Sequence, residues 1–208
     1  MSNPKFSKLK STVKNITSAI SNTQVIPKEA IRKLTARNLN DLIRNYLNAK
    51  ANGTEEQYMA NIISSIQVEA RTYSNEENVN TVQQMIFINM LGYDTNWGDF
   101  TVLEVMTLED YSAKRIAYTA AAQMWNSNSD VVLMATNRIQ RDLTSVNTLL
   151  TSCVLTSLPP YLTTSLASGI AHDVISLMTS AKPYIRQKAI MTFYHICLRY
   201  PDALKPGF

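Results

Sequence analysis

The side chains able to do chemistry in this 208-residue chain are few and scattered. His172 stands beside Asp173 and His195 near Cys197. Neither histidine has a second one a helical turn away, so no zinc set can be assembled from them. Cys153 and Cys197 lie in apolar runs, without the spacing of a metal or redox pair. They read as buried free thiols, behaving as small hydrophobes in a reducing, cytosolic compartment. Serines are abundant, yet no Gly-x-Ser-x-Gly elbow occurs. Gly53, Gly92, Gly98, Gly169 and Gly207 are isolated from one another, whereas a phosphate-cradling loop needs clustered glycines. The carboxylate pairs Glu76-Glu77 and Glu109-Asp110 fall in polar breaks and read as solvated or helix-start charges. No catalytic group, metal set or cofactor loop is therefore expected, and the chain is not read as an enzyme.

The charged residues suggest contacts instead. The first fifty residues carry ten lysines and arginines against only Glu29 and Asp41, while the whole chain is +4, so the remainder is net acidic. A basic end on an acidic body favours an anionic surface such as lipid or nucleic acid. Lys114, Arg115, Arg186 and Lys188 occupy early turns of two helices, and stacking would align them as a basic ladder for an acidic partner. Basic and aromatic residues do not interleave as in single-strand binders, so neither nucleic acid nor a small-molecule substrate is expected. Trp97 and Trp125 read first as core, second as interface anchors.

The elements that must position these residues are helices. Residues 1–27 stand apart as a basic extension, flexible or amphipathic, with Phe6, Leu9, Val13, Ile16 and Ile20 at helical spacing. No apolar run reaches the ~20 residues that span a bilayer, and residues 1–28 hold no signal-like stretch, so membrane contact is expected to be peripheral. From Pro27 the pattern gives successive helices. The first carries Leu39, Leu42, Ile43, Tyr46 and Leu47, and the second Tyr58, Ile62, Ile66 and Tyr73. Further helices are predicted over 79–91, 97–106, 112–126, 129–143 with Ser129 as N-cap, and 146–158. Another is centred on Leu166–Leu177, and the last covers 183–200.

Ala117, Cys153 and Ala189 recur every 36 residues, each in the middle of every second helix. A helix-pair period of this length marks an α-solenoid of the HEAT or armadillo kind, in which each pair buries its apolar face only against the next. The fold expected is all-α, a right-handed superhelix of helix pairs over 28–208. Leu204 and Phe208 follow a strongly apolar final helix, so the solenoid is expected to continue and the chain to be its N-terminal part.

Several motifs add a family resemblance. MLGYD at 90–94, Trp97, LEVM at 103–106, KRIAY at 114–118, TNRIQRDL at 136–143 and KPYIRQKA at 182–189 resemble, in order, the N-terminal trunk of adaptin large chains. The delta-adaptins of adaptor protein complex 3 match best, and RNLNDLIR at 37–44 is similar to their first helix. The resemblance implies a subunit of a vesicle-coat adaptor, assembled with small (sigma-type), medium (mu-type) and beta-type chains. It implies recruitment by an Arf-family GTPase to the cytosolic face of Golgi, endosomal and vesicle membranes, and sorting of cargo to lysosome or vacuole. It points to Arg37, Asp41 and Arg44 as a surface for the small chain and cargo. Related chains carry an arginine in the first helix, and an ungapped match puts Leu47 there, with Arg44 one turn earlier. The phosphoinositide lysines of the plasma-membrane adaptor are replaced by Asn78, Val79 and Asn80. A free-standing helical-repeat module, for transport receptors or RNA, is the alternative from a different class.

Overall fold

The computed structural model describes residues 38–207, with side chains to Leu204. The 1–27 extension, Pro27, Arg37 and Phe208 lie outside the described residues. The chain divides into two units, Met1–Asp41 and Leu42–Phe208. Of the first, the described part is residues 38–41, where the Asp41 N–H donates to the Asn38 carbonyl at 3.0 Å.

Helix α1 spans Leu39–Ala51, α2 Glu55–Thr72, α3 Asn78–Met90, α4 Asp99–Met106, α5 Tyr111–Met124, α6 Val131–Leu143, α7 Thr148–Ser157, α8 Thr164–Met178 and α9 Pro183–Arg199. Short 3-10 turns cover Asn96–Gly98, Pro159–Tyr161 and Pro201–Gly207. Among the described residues there is no strand. The apolar periodicity explains the helices. In α6, for instance, Val132, Ala135, Ile139 and Leu143 are buried at steps of three and four, while Leu133 and Met134 between them are exposed.

Chemistry at the ends stops each helix. After α3, Gly92 takes φ +91°, and the Tyr93 N–H donates back to the Ile88 carbonyl at 3.3 Å. This is the left-handed C-terminal turn that glycine adopts without strain. The Asp110, Asn147 and Thr163 side chains cap α5, α7 and α8 by accepting from the N–H of Ala113, Leu149 and Leu166. The expected Ser129 cap of α6 is not formed. Asp130 takes the cap position without a side-chain bond, and the Ser129 hydroxyl accepts from the Asn126 N–H at 3.2 Å instead.

From α3 onward, helices two apart in sequence lie side by side. α3, α5, α7 and α9 form one layer and α4, α6 and α8 a second, with α4 against α5, α6 against α7 and α8 against α9. This is the linear stacking that the 36-residue register calls for. Two register residues, Ala117 and Ala189, are fully buried between neighbours. The third, Cys153, is a half-buried free thiol, as is Cys197, so neither is a fully buried core residue. Polar side chains tie successive repeats together. Gln123 Nε2 donates to the Ile86 carbonyl at 3.0 Å. Gln140 Nε2 donates to the Gly169 carbonyl at 2.8 Å, and the Thr192 hydroxyl to the Leu155 carbonyl at 2.9 Å.

One continuous apolar core runs through the unit from Leu42 to Ala203. Each fully buried Leu, Ile, Val or Met contributes ~1.5–3 kcal/mol. Trp125 is part of this core, edge-on to Tyr161 at 5.5 Å. Trp97 is half-buried and its indole N–H donates to the Asp94 carbonyl. Gly98 lies at a close approach: a Cβ there would fall 1.8 Å from Met85 Cε, so the Met85 side chain would have to shift.

Candidate functional site

The layer α5–α7–α9 presents a groove of about 370 Å³ to the outside. From α5 come Tyr111, Arg115, Thr119 and Ala122, at successive turns of one helix face. α7 contributes Leu149, Ser152, Cys153 and Thr156, and α9 contributes Tyr184 and Lys188. Because each helix repeats about every 3.6 residues, residues three and four apart form a single stripe, and stacking lays three stripes side by side.

The groove is basic and partly apolar. Its two cations are Arg115, which is exposed, and Lys188, and no carboxylate lines it. Lys188 Nζ sits 5.0 Å from the centre of the Tyr184 ring and donates to the Thr156 hydroxyl. Hydrogen bonding to Ser152, and then to Lys188, holds the Tyr184 hydroxyl below its ordinary value. Burial pushes the Cys153 thiol up, while the positive charges of Arg115 and Lys188 pull it back, so both cations act on the middle of the groove. Leu149 is 60% exposed and Tyr184 57%, although both are large and apolar. Such a surface can hold an anionic group beside an apolar one. No base, nucleophile or acid in it is arranged for catalysis.

The structure keeps two of the four residues of the expected ladder and removes two. Lys114 is buried and donates to Asp142 Oδ1 at 2.7 Å, so it faces the core and cannot meet a partner. Arg186 is half-buried, and its Nη1 donates to the Ser180 carbonyl at 2.9 Å and the Ala181 carbonyl at 3.3 Å, bracing the turn before α9. Arg115 and Lys188 are left, on one surface. Tyr111, Leu149 and Tyr184 were missed as site residues. The available signal was that Leu149 lies four residues before Cys153, and Tyr184 four before Lys188.

Asp142 is the centre of a second cluster. Besides Lys114 it accepts from the Tyr118 hydroxyl at 2.8 Å. Arg138 Nε lies 3.4 Å from Oδ2, the oxygen that Tyr118 also meets, an ion pair without hydrogen-bond geometry. Arg138 also reaches Glu109 at 3.3 Å. Burial, then the charge of Asp142, holds the Tyr118 phenol well above its ordinary value, so it remains a donor. This cluster fastens α5 to α6 from inside. The burial of Lys114 and Asp142, though not their pairing, had a sequence signal, since both fall on the apolar stripes of their helices.

Arg37 lies outside the described residues, and Asp41 and Arg44 belong to different units, so the surface expected from these three is not described as one site. Arg44 and Leu47 are exposed. Among the described residues no group of three His, Cys, Asp or Glu side chains could hold a metal. No helix there is long and apolar enough to cross a membrane.

Comparison with known proteins matches residues 51–208 to the family model described as the adaptin N terminal region. The chain is 36% identical over 181 residues to AP-3 complex subunit delta-1 of Bos taurus, covering 87% of this chain and 15% of that one. It is 38% identical over 172 residues to AP-3 complex subunit delta of Dictyostelium discoideum, covering 83% and 15%. With the Saccharomyces cerevisiae AP-3 complex subunit delta it shares 32% identity over 156 residues, covering 74% and 17%. In three dimensions it resembles a chain of the "Homology model of the full-length AP-3 complex in an intermediate open conformation". The TM-score is 0.57 at 34% identity, over 65% of this chain and 24% of that one. The chain thus spans about 15% of the length of the first two relatives.

Proposed function

The chain belongs to the adaptin N-terminal family, and from that membership we infer that it is the N-terminal solenoid of a delta-type large subunit in a vesicle-coat adaptor. It acts as a scaffold, without catalysis. The observation that supports this reading most is the linear, two-layer stack of helix pairs over the same residues that match the family model. Such a stack has a large surface for its length, and its energy comes from apolar contact between repeats. It has no enclosed centre in which to position reacting groups.

In this reading the surface docks small (sigma-type), medium (mu-type) and beta-type chains, and an Arf-family GTPase brings the assembly to Golgi, endosomal and vesicle membranes. Cargo sorted there travels to lysosome or vacuole. Membrane contact is peripheral, through an anionic surface. The face of α9 carrying Met191, Tyr194 and Leu198, each 58–63% exposed, suits a further stacked helix pair or a partner chain. A free-standing repeat module for transport receptors or RNA is the weaker reading, because the relatives named above are chains of one adaptor complex.

Co-expression tests the proposal. A tagged copy of this chain should carry the sigma-type small chain of its own organism through affinity and size-exclusion steps at constant ratio. Loss of that chain at the first wash, with the solenoid still helical, would reject the proposal.

A further inference from the structure

We propose that the edge of the stack where α3 ends and α4 and α6 begin is a docking surface for a basic amphipathic helix of a partner protein. Four large apolar side chains lie exposed there: Met90 (70%), Phe100 (52%), Leu133 (70%) and Met134 (60%). The proposal stands on this edge alone and does not depend on which chains the solenoid assembles with.

The chain's own contacts bring these residues to one edge. Asn89 Nδ2 donates to the Thr95 hydroxyl at 3.1 Å, which holds the turn after α3 against the end of that helix, beside Met90. The Trp97 indole N–H donates to the Asp94 carbonyl at 3.2 Å within the same turn. Asp99, the first residue of α4, accepts from the Ser129 hydroxyl just ahead of α6. α4 also packs on α3 and α6. Phe100 follows Asp99, and Leu133 and Met134 lie in the first turn of α6, so all open where these helix ends meet. A helix pair added to the end of the stack cannot cover this edge, since α3 and α6 already have neighbours on both sides. Exposed apolar side chains rimmed by polar ones mark a contact surface.

Charge selects the occupant. Residues 72–113 include no lysine, arginine or histidine, and Asp130 is the one charged residue from Ile116 to Asn137. Asp94 and Asp130 are exposed, and Asp94 is near enough to act on the Asp99 carboxyl. Among the described residues none of these three carboxylates has an ion-pair partner. The starts of α4 and α6 each supply about half a positive charge, so the three carboxylates leave this edge at about −2. Anionic lipid, nucleic acid and a second copy of the same edge would all meet like charge. A helix with apolar residues at i, i+3 and i+4, flanked by lysines or arginines, uses both features. Its diameter, about 10–12 Å with side chains, is close to the ~8–10 Å spacing of packed helices. It can therefore lie across the starts of α4 and α6 with its apolar stripe on Phe100, Leu133 and Met134.

The test uses the full 208-residue chain and a fluorescein-labelled peptide of leucine and lysine, about 18 residues long so that it can hold a helix. Its leucines fall at i, i+3, i+4 and i+7, and binding is read by fluorescence anisotropy at neutral pH. A scrambled peptide of the same composition and a leucine–glutamate peptide of the same pattern serve as controls. The patterned lysine peptide should bind, each control should bind at least ten-fold more weakly, and salt should weaken the interaction. Phe100→Ser and Leu133→Ser should each cost several-fold, and Asp130→Lys ten-fold or more. Glu76→Lys makes the same change in net charge at an exposed position ahead of α3, and Leu198→Ser removes an exposed leucine from α9. Both should leave affinity unchanged. Circular dichroism should show unaltered helix content for every variant. Absent binding, equal binding of the scrambled peptide, or an equal loss with Glu76→Lys or Leu198→Ser would overturn the proposal. So would a dimer of the chain alone, seen by sedimentation, that Phe100→Ser dissolves. None of these readouts involves a small adaptor chain, so the scaffold reading stands or falls separately.

Discussion

Replacing Lys114 by methionine probes the buried charge cluster most sharply. Lys114 and Asp142 are 3% and 2% exposed, and their atoms meet at 2.7 Å. Methionine matches the lysine stem in length, so little packing is lost and the change is mainly one of charge. The Asp142 carboxylate then keeps the Tyr118 hydroxyl at 2.8 Å and the Arg138 ion pair at 3.4 Å, but loses its shortest cationic contact. Removing one member of a buried pair costs ~3–5 kcal/mol. Because Arg138 still offsets part of the charge, the lower end, about 3 kcal/mol, is the value to expect. For a chain of this length that shifts the melting midpoint by roughly 6–12 °C. Urea unfolding followed by circular dichroism measures it directly. The double variant Lys114→Met with Asp142→Leu should recover part of the loss, because no unpaired buried charge remains. A loss below 1 kcal/mol for the single variant, at unchanged denaturant slope, would refute the view that this pair fastens α5 to α6.

Other outcomes follow from particular contacts. Gly98→Ala places a methyl group 1.8 Å from Met85 Cε unless that side chain shifts, so it should cost ~1–3 kcal/mol in thermal unfolding, and the same change made in a Met85→Ala background, where those atoms are gone, should cost less. Burial, and then the charge of Asp94, raise the Asp99 carboxyl from 3.8 to about 6, against a hydrogen bond from Ser129. The folded form then binds the Asp99 proton more tightly than the unfolded form, so this group's contribution to stability should rise as pH falls from about 6 toward 4. Carboxyl carbon NMR should place its titration midpoint near 6, and a midpoint below 4.5 would contradict the burial. Thr192→Val removes the bond to the Leu155 carbonyl at 2.9 Å and should cost about 1 kcal/mol, read by the same urea titration.

Helix existence and order were legible because the apolar periodicity is strong and the breaks carry chemistry of their own. Gly92 and Pro159-Pro160 follow the ends of α3 and α7, and Pro183 starts α9. The stacking was legible from Ala117 and Ala189, whose small size is needed where neighbouring helices meet. Pairings across the stack were not legible. Nothing near Lys114 in sequence says that Asp142, 28 residues on, will take its charge, so an apparent surface cation turned out to be internal. Ser129 failed as a cap because its hydroxyl oxygen already accepts from the Asn126 N–H and the helix begins after Asp130. The groove escaped notice for the same reason: its lining comes from three helices, and only stacking brings the stripes together.

Spin-label distances test linear stacking of the helix pairs most directly. Labels at the exposed positions Thr119, Thr156 and Met191, with Cys153 and Cys197 replaced by alanine, mark α5, α7 and α9. Packed helices lie ~8–10 Å apart, so the Thr119-to-Met191 separation should be about twice the Thr119-to-Thr156 separation. Equal separations would mean a closed bundle, and the scaffold account would fail.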